Sequence, residues 1–385
     1  MNFNGIKDLN ETRPFTYRLI YIIIKAEEMR TMKEKVYFIR MQDKEDDRSV
    51  CRKLKQVLEK KDLFSFIGSK DLVAVKTHFG EEGSIGYVRP LYFSMMGEMI
   101  KMKEAVPFLT ETSTLYNGRR TNAAQHMGLA YDHGFTYHET GLPIVMADGL
   151  LGDDEIEVEI PGKMYKKVKL AALIVKAQSL IMVSHLTGHL VAGFGGALKN
   201  MGMGCASRRG KLAQHSTAKP SIRTSKCTGC GECVKWCPAN AISMENKKAV
   251  IKKSLCIGCA ECLAVCRFDA VGYNWSETYV NLQQKIVEHA WGVEEANKGK
   301  SIYINFLNRI TKDCDCMGKS ALISPDIGVL ISFDPVAVDA ASLDLLEKRV
   351  GKKLSQISYD IPYRVQVDYA KEIGFGNPDY DLIEL

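Results

Sequence analysis

The chain has 385 residues, a length that allows two or three domains at roughly 150 residues each. Its composition, 46% hydrophobic and 25% charged, is typical of a globular protein and excludes a disordered, collagenous or coiled-coil chain. The net charge of +6 arises from 52 basic and 46 acidic residues spread along the sequence, so the composition offers no argument for nucleic-acid binding.

An apolar run lies near the N-terminus, over residues 15–24. It is shorter than the roughly 20 residues that a membrane-spanning helix needs, and it contains Arg18. We therefore expect residues 1–31 to form an N-terminal extension and no segment of the chain to cross a membrane.

From residue 36 onward, short β-rich runs alternate with helical periodicity. The β-rich runs predict strands over residues 36–39, 72–77, 106–109, 144–147, 180–184, 301–306 and 329–333, with a hairpin over 154–160 and 166–170. The helical pattern predicts helices over residues 48–60, 91–103, 121–133, 279–291 and 335–348. The alternation predicts an α/β fold, a parallel or mixed sheet flanked by helices, with ligands bound beyond the carboxyl ends of the strands.

Residues 221–275 interrupt this alternation. They contain eight of the 12 cysteines, arranged as two copies of C-x2-C-x2-C-x3-C that begin at Cys227 and Cys256. The predicted organisation is an extension (1–31), the first part of an α/β domain (32–220), an inserted small α+β module (221–275) and the continuation of the α/β domain (276–385).

The cysteine spacing predicts two [4Fe-4S] clusters. Three thiolates separated by two residues can hold three corners of a cubane, whereas the fourth lies too far along the chain and ligates the other cluster. The first set is Cys227, Cys230, Cys233 and Cys266, and the second is Cys256, Cys259, Cys262 and Cys237. A pair of zinc sites is the alternative, although zinc ribbons pair two C-x2-C knuckles across a longer spacer. Residues 220–275 resemble the bacterial two-cluster ferredoxins.

Cys314 and Cys316 flank Asp315 after a predicted strand. Two thiols at this spacing are a poor chelate alone, but with Cys205 or a histidine they could complete a third metal site or a redox-active thiol site. Structural use is the alternative. Cys51, in a predicted amphipathic helix, is expected to be a core residue.

Polar motifs follow several predicted strands. Histidines and a glutamate there could act as ligands or general acids and bases, and a glycine-rich loop with a following lysine could hold an anion. The catalytic candidates are His78, Glu81, His185, His189 and Lys199. The candidate anion contacts are Arg119, Arg120, Gly193, Gly195 and Gly196.

Four stretches, KTHFGEEGSIGYVRP, TETSTLYNGRR, HLTGHLVAGFGGALKNMGMG and KDCDC, resemble the domain-of-unknown-function 362 family in the form that carries an inserted two-cluster ferredoxin. The resemblance spans residue 36 to the C-terminus and implies iron–sulfur binding without specifying a reaction. The glycine-rich loop is also similar to that of lactate racemase, in which a lysine anchors a nickel cofactor. Lys199 is the matching position.

These features predict an iron–sulfur protein that relays electrons to or from a polar pocket in the α/β domain, as an oxidoreductase or electron-transfer protein. We expect an oxygen-poor cytoplasm, and a redox protein or small molecule as partner. One alternative is a non-redox protein that binds or assembles a metal or cofactor and has structural clusters. Another is a simple ferredoxin-type carrier, for which the α/β part is unnecessarily large.

Overall fold

A computed structural model describes residues 33–42, 45–116, 118–215, 220–237, 239–256, 261–272 and 278–385. The predicted extension at 1–31 and Cys259 lie outside these residues. Within the described part of the chain, no helix has both the length and the apolar character needed to cross a membrane.

The strands are numbered in chain order. They are β1 (Glu34–Arg40), β2 (Leu72–Lys76), β3 (Val106–Thr110), β4 (Glu155–Glu159), β5 (Lys167–Ala171), β6 (Ser179–His185), β7 (Thr187–His189), β8 (Gly193–Gly195), β9 (Ser221–Ile222), β10 (Ile242–Glu245), β11 (Lys248–Ile251), β12 (Val271–Gly272), β13 (Ser301–Leu307), β14 (Gly328–Ser332) and β15 (Tyr380–Glu384).

The helices are numbered in the same way. They are α1 (Asp47–Lys60), α2 (Pro90–Lys101), α3 (Ala123–Asp132), α4 (Tyr137–Thr140), α5 (Ala172–Lys176), α6 (Ala197–Gly202), α7 (Arg208–His215), α8 (Glu232–Lys235), α9 (Glu261–Val265), α10 (Tyr279–Asn297), α11 (Pro335–Val350), α12 (Leu354–Ile357) and α13 (Val365–Ile373).

Among the described residues, seven strands form one sheet in the order β15-β1-β14-β13-β6-β2-β3. Strand β14 runs antiparallel to both of its neighbours, and the other neighbouring pairs are parallel. The prediction of an α/β fold with a parallel or mixed sheet flanked by helices is confirmed.

Side chains of the central strands alternate between two cores because successive residues of a strand point to opposite faces. Leu180 and Met182 of β6 belong to one core, which also contains Val287 of α10. Ile181 of β6 belongs to the other, together with Leu54 of α1. Both faces are therefore covered by helices, which explains why these strands are almost continuously apolar.

The structure differs from the predicted strands of the main sheet at two places. Residues 144–147 form no strand, and Ile144 makes only an isolated bridge to Leu109 of β3. The segment turns away soon afterwards at Gly149, whose φ of +73° suits glycine. Strand β15 was not predicted, because it is a half-exposed edge strand without a clear apolar pattern. The predicted hairpin is confirmed as the antiparallel pair β4 and β5.

The cysteine-rich segment has its own small elements and its own core. Strand β9 pairs with β12, and β10 pairs with β11. Cys227, Cys233 and Cys262 are buried there with small apolar side chains such as Ile242 and Val271. The chain leaves the main sheet at β6 and returns at β13, its parallel neighbour, so the sheet continues across the segment.

Candidate functional site

A cavity of about 580 Å³ lies at one edge of the main sheet. Strands β3, β2, β6 and β13 are consecutive and parallel, so their carboxyl ends meet at the same edge. The wall includes His78 after β2, Glu111 after β3 and His185 at the end of β6. The cavity also has an apolar side, formed by Leu115, Leu190, Val191, Met203, Leu282, Ile286 and Met317.

A buried ion pair joins Lys76, the last residue of β2, to Glu111, which follows β3. Lys76 Nζ lies 2.6 Å from Glu111 Oε1 and donates a hydrogen bond of 2.8 Å to Asn200 Oδ1. Burial raises the pKa of Glu111, but the positive charge of Lys76 outweighs this effect and holds that pKa below its usual value. Glu111 is therefore an anion in the folded protein, and Lys76 is its counter-ion.

A second cluster is centred on Arg120, which is buried. Its Nε donates to Glu81 Oε2 at 3.0 Å, another guanidinium nitrogen donates to the Tyr116 hydroxyl, and the third lies 2.7 Å from His78 Nε2. Burial, Arg120 and Lys76 together hold the pKa of His78 well below its usual value. His78 is therefore neutral, and Glu81 serves as the partner of Arg120.

Arg119 and Arg120, the two arginines among the candidate anion contacts, lie in different surroundings. The guanidinium of Arg119 lies 2.6 Å from Asp132 in an ion pair whose side chains are 37% and 58% exposed. Arg119 does not line the cavity. Arg120 does line the cavity, with its guanidinium engaged by the chain's own groups.

His185 forms a buried pair with Asp315, whose neighbours in sequence are Cys314 and Cys316. The Nδ1 atom lies 2.9 Å from Asp315 Oδ2, and Nε2 donates to the carbonyl of Asn308 at 2.8 Å. Gly86 packs so closely on this pair that a Cβ there would overlap Asp315 and His185. The pair thereby fixes the cysteine loop against the end of β6.

Lys199 lines the cavity from α6. Its ammonium has no hydrogen-bond or ion-pair partner among the described residues. Burial and the positive charge of Arg120 lower its pKa to about 8, although Asp315 and Glu111 act in the opposite direction. Lys199 is therefore a cation at neutral pH, available to a bound anion.

The glycine-rich loop differs from the anion cradle expected of Gly193, Gly195 and Gly196. The amides of Ala197 and Leu198, which begin α6, donate to the Asp339 carboxylate at 2.7 and 2.8 Å. A carboxylate from α11 thus takes the position where an anion would bind. Gly195 and Gly196 still line the cavity, whereas Gly193 packs against the backbone of Tyr363.

A candidate metal-binding group lies on the cavity wall. The group consists of His189, Cys314 and Cys316, each of which offers one ligand atom. These three atoms lie within 4.8 Å of one another, so the group could hold a metal ion. Cys314 and Cys316 are disulfide-bonded to each other. Burial and Lys199 hold the pKa of His189 well below its usual value, so the ring is neutral.

Cys205, expected as a partner of Cys314 and Cys316, is not part of this group. Its thiol is buried and lies 3.7 Å from the carbonyl oxygen of Asn200. Burial raises the pKa of the Cys205 thiol to about 12, so it is a core thiol rather than a thiolate ligand. Cys51 is likewise buried, as expected.

Several residues of the site were not among the catalytic candidates from sequence. Lys76 ends an apolar strand, and Asp339 interrupts an apolar helix pattern, so each is a charged residue at a buried position. Lys211 is also buried and donates to Thr112 and to the carbonyl of Ala206. A charge at a core-facing position is the signal that could have identified all three.

The first cysteine set surrounds a separate small pocket in residues 221–272. Its lining includes Cys227, Cys230 and Cys233 from the first repeat and Cys266 from the second. Burial, followed by the charges of Cys230, Cys266 and Cys227, raises the pKa of Cys233, so the four sulfurs are close enough to interact. A hydrogen bond from the Ala249 amide to Cys227 Sγ at 3.5 Å lowers the pKa of Cys227.

The second set is described in part. Cys237 Sγ accepts a hydrogen bond from the Ala241 amide at 3.2 Å, and Cys266 Sγ of the first set accepts one from Ala270 at 3.4 Å. Cys262 is buried, and Cys256 is half-buried. Cys259 lies outside the described residues.

The family model described as Domain of unknown function (DUF362) matches residues 73–344, more than half of the chain. The chain belongs to this family. The matched range of this DUF362 protein includes every cavity residue discussed above, and it also includes the cysteine-rich segment. No curated protein matches the chain.

Two solved structures are similar to this DUF362 chain at low identity. The lactate racemase apoprotein from Thermoanaerobacterium thermosaccharolyticum is 14% identical with a TM-score of 0.36, covering 71% of this chain and 51% of that one. A Thermotoga maritima protein solved by the Northeast Structural Genomics Consortium is 11% identical with a TM-score of 0.37, covering 80% and 59%. The chain thus spans between one half and three fifths of these proteins.

Proposed function

We propose that this DUF362 protein binds two [4Fe-4S] clusters through an inserted module, residues 221–275, and exchanges electrons with a small anionic molecule in the cavity. The observation that supports it most is the position of Cys266. This residue belongs to the second repeat, yet it lines the same small pocket as Cys227, Cys230 and Cys233. That exchange of the fourth cysteine is the arrangement of two-cluster ferredoxins.

The donor set fits iron–sulfur ligation. All four residues offer thiol sulfur, and backbone amides already point at Cys227, Cys237 and Cys266. Amide hydrogen bonds to ligand sulfur stabilise the charge of a cluster and set its potential. When bound, such clusters supply reversible one-electron transfer. Ligation requires reduced thiols, which favours a cytoplasmic location.

A direct packing contact supports a connection between the module and the cavity. Leu263 follows Cys262 in α9 and packs against Leu115 and Leu212. Leu115 lines the cavity, and Leu212 follows the cavity residue Lys211. The second cysteine set is therefore adjacent to the cavity wall, which favours electron exchange with a bound molecule over use of the clusters as structure alone.

The cavity indicates the class of molecule. Glu111, Arg120 and Asp315 are paired with Lys76, Glu81 and His185, respectively. Lys199 remains as a cation without a partner among the described residues, in a cavity that is also lined by apolar side chains. A small carboxylate or phosphate with an apolar portion suits this combination. A simple electron carrier has no need of such a cavity.

Anaerobic iron and acid-labile sulfide analysis tests the proposal. We expect about eight iron and eight sulfide per chain, and about four of each in Cys266→Ser. The Cys51→Ser variant is the matched control, because Cys51 is a buried thiol outside the module, and it should keep the full content.

Electron paramagnetic resonance of the reduced protein distinguishes the two sets. Cys233→Ser and Cys266→Ser should weaken the same signal, whereas Cys262→Ser should weaken the other. Stoichiometric zinc without sulfide would reject the cluster proposal. Loss of the same signal in Cys266→Ser and Cys262→Ser would reject the exchange of the fourth cysteine.

A further inference from the structure

We propose that Cys314 and Cys316 form a redox-active disulfide that accepts two electrons and two protons and, as a dithiol, reduces the molecule bound in the cavity. The two residues are disulfide-bonded, and both line the cavity wall. The inference deepens the proposed function and rests on it for the source of electrons. The sequence left a third metal site, a redox-active thiol site and structural use open for these cysteines, and the inference selects the redox-active thiol site.

The histidine beside the two sulfurs is oriented as a proton donor. His189 Nδ1 accepts hydrogen bonds from the amides of Val191 at 3.1 Å and Ala192 at 2.9 Å. Because Nδ1 accepts both of these hydrogen bonds it carries no proton, so the proton of the ring resides on Nε2. A metal would require a free lone pair on that atom. The available N–H instead suits a thiolate formed when the disulfide opens.

The position of Asp315 links the disulfide to the anion site. Asp315 lies between the two cysteines and is anchored by His185 on one side. Its charge also acts on Lys199 across the cavity. An anion bound at Lys199 would therefore lie in the same enclosed space as the sulfurs.

The reaction is balanced in both halves. Reduction breaks the S–S bond, and each sulfur gains one electron and one proton. The electrons arrive singly from the iron–sulfur module, whose own reductant is a low-potential one-electron carrier protein. In the second half, the dithiol passes two electrons and two protons to an anionic organic disulfide in the cavity, whose S–S bond breaks to give two thiols, and the bond between Cys314 and Cys316 forms again.

The first experiment tests the thiol pair without relying on the clusters. Anaerobic protein is equilibrated with mixtures of oxidised and reduced dithiothreitol, and its free thiols are then trapped with N-ethylmaleimide under denaturing conditions. The mass of the peptide that contains both cysteines is measured by mass spectrometry. We expect only unlabelled and doubly labelled peptide, in a ratio that follows a two-electron equilibrium. Cys51 and Cys205 are internal controls that should label at every ratio.

Two results would overturn the proposal that Cys314 and Cys316 form a redox-active disulfide. One is complete labelling of Cys314 and Cys316 at every dithiothreitol ratio. The other is a stoichiometric metal ion that is lost in Cys314→Ser, Cys316→Ser or His189→Gln, which would assign these residues to a metal site.

The second experiment tests the electron source. A photochemically generated one-electron donor should produce two new thiols at Cys314 and Cys316 in the wild-type protein, at least tenfold faster than in Cys262→Ser. Equal rates would reject delivery through the module. Absence of iron from the wild-type protein would reject the proposed function, and the dithiothreitol experiment would still decide whether the disulfide is redox-active.

Discussion

Lys199 differs from the other charged side chains around the cavity in having no partner among the described residues. Burying an ion without a partner is costly, so the free energy favours the neutral amine and lowers its pKa. Lys76 with Glu111 at 2.6 Å shows the contrasting case of buried charges that are paired. A bound anion would supply the missing partner.

At the residue scale, the first prediction concerns the pH at which Lys199 titrates. Competitive labelling with acetic anhydride, followed by mass spectrometry, should give a midpoint near pH 8 for Lys199, against about 10.4 for an unperturbed lysine. Arg120→Met removes a positive neighbour and should raise the midpoint. A midpoint near 10 in the wild-type protein would show that the side chain is solvated.

The same shift determines a pH dependence of stability. The pKa of Lys199 is about 8 in the folded protein and 10.5 in the reference state. Between these values the unfolded chain binds more protons, so this residue makes the free energy of unfolding increase as pH rises through that window. Below pH 8 both states are protonated, and the full cost of burying the cation is present.

At the scale of elements, the short helix α6 places Lys199 and Asn200 beside the sheet. The amides of the first turn of α6 donate hydrogen bonds to the carboxylate of Asp339 in α11. A carboxylate at this end of α6 also interacts favourably with the dipole of that helix. Gly202, the last residue of α6, packs on the carbonyl of Ile286 in α10. A helix of six residues needs such tertiary contacts, since it is too short to be stable alone.

Gly202→Ala tests the contact at the end of α6. The added methyl group would overlap the Ile286 carbonyl oxygen, so α6 must shift, and we expect a loss of about 1–3 kcal/mol in the free energy of unfolding. Gly118→Ala is the control, because no atom of the described residues, its chain neighbours aside, lies within 4 Å of the position that an added Cβ would occupy there. Equal urea midpoints for the two variants would contradict the close packing.

At the scale of the whole molecule, the cysteine-rich segment and the cavity meet through Leu263, Leu115 and Leu212. This contact joins residues that are far apart in sequence. Leu263 also packs against the segment's own core, whereas Leu115 and Leu212 belong to neither of the two cores of the sheet. Leu263 is therefore a point at which a substitution can alter the connection between the segment and the cavity.

Leu263→Gln should weaken this contact. Losing part of a leucine's burial lowers the free energy of local opening by about 1 kcal/mol. We therefore expect the rate of amide hydrogen exchange around Leu212 in α7 to increase about fivefold. Met244→Gln, an exposed position in the same segment, should leave exchange in α7 unchanged. An identical effect of both variants would show that Leu263 makes no specific contribution.

Sequence spacing alone was sufficient to predict the α/β alternation and to identify the cysteine repeat. Periodicity is a local property, and the strands ending at Lys76 and His185 have it because both of their faces are buried. Position after a strand also identified His78, His185, His189 and Lys199 as cavity residues. It could not distinguish Arg119 from Arg120, since the direction of each side chain depends on a turn.

The pairings at the site depend on which distant segments become neighbours. Lys76 meets Glu111 because β2 lies beside β3, and Asp339 reaches the first turn of α6 from a helix more than a hundred residues later. His189 joins Cys314 and Cys316 in the same way. Periodicity and spacing describe interactions along the chain. Partners across the sheet are chosen by packing, which minimises exposed apolar surface and unpaired buried charge over the whole fold.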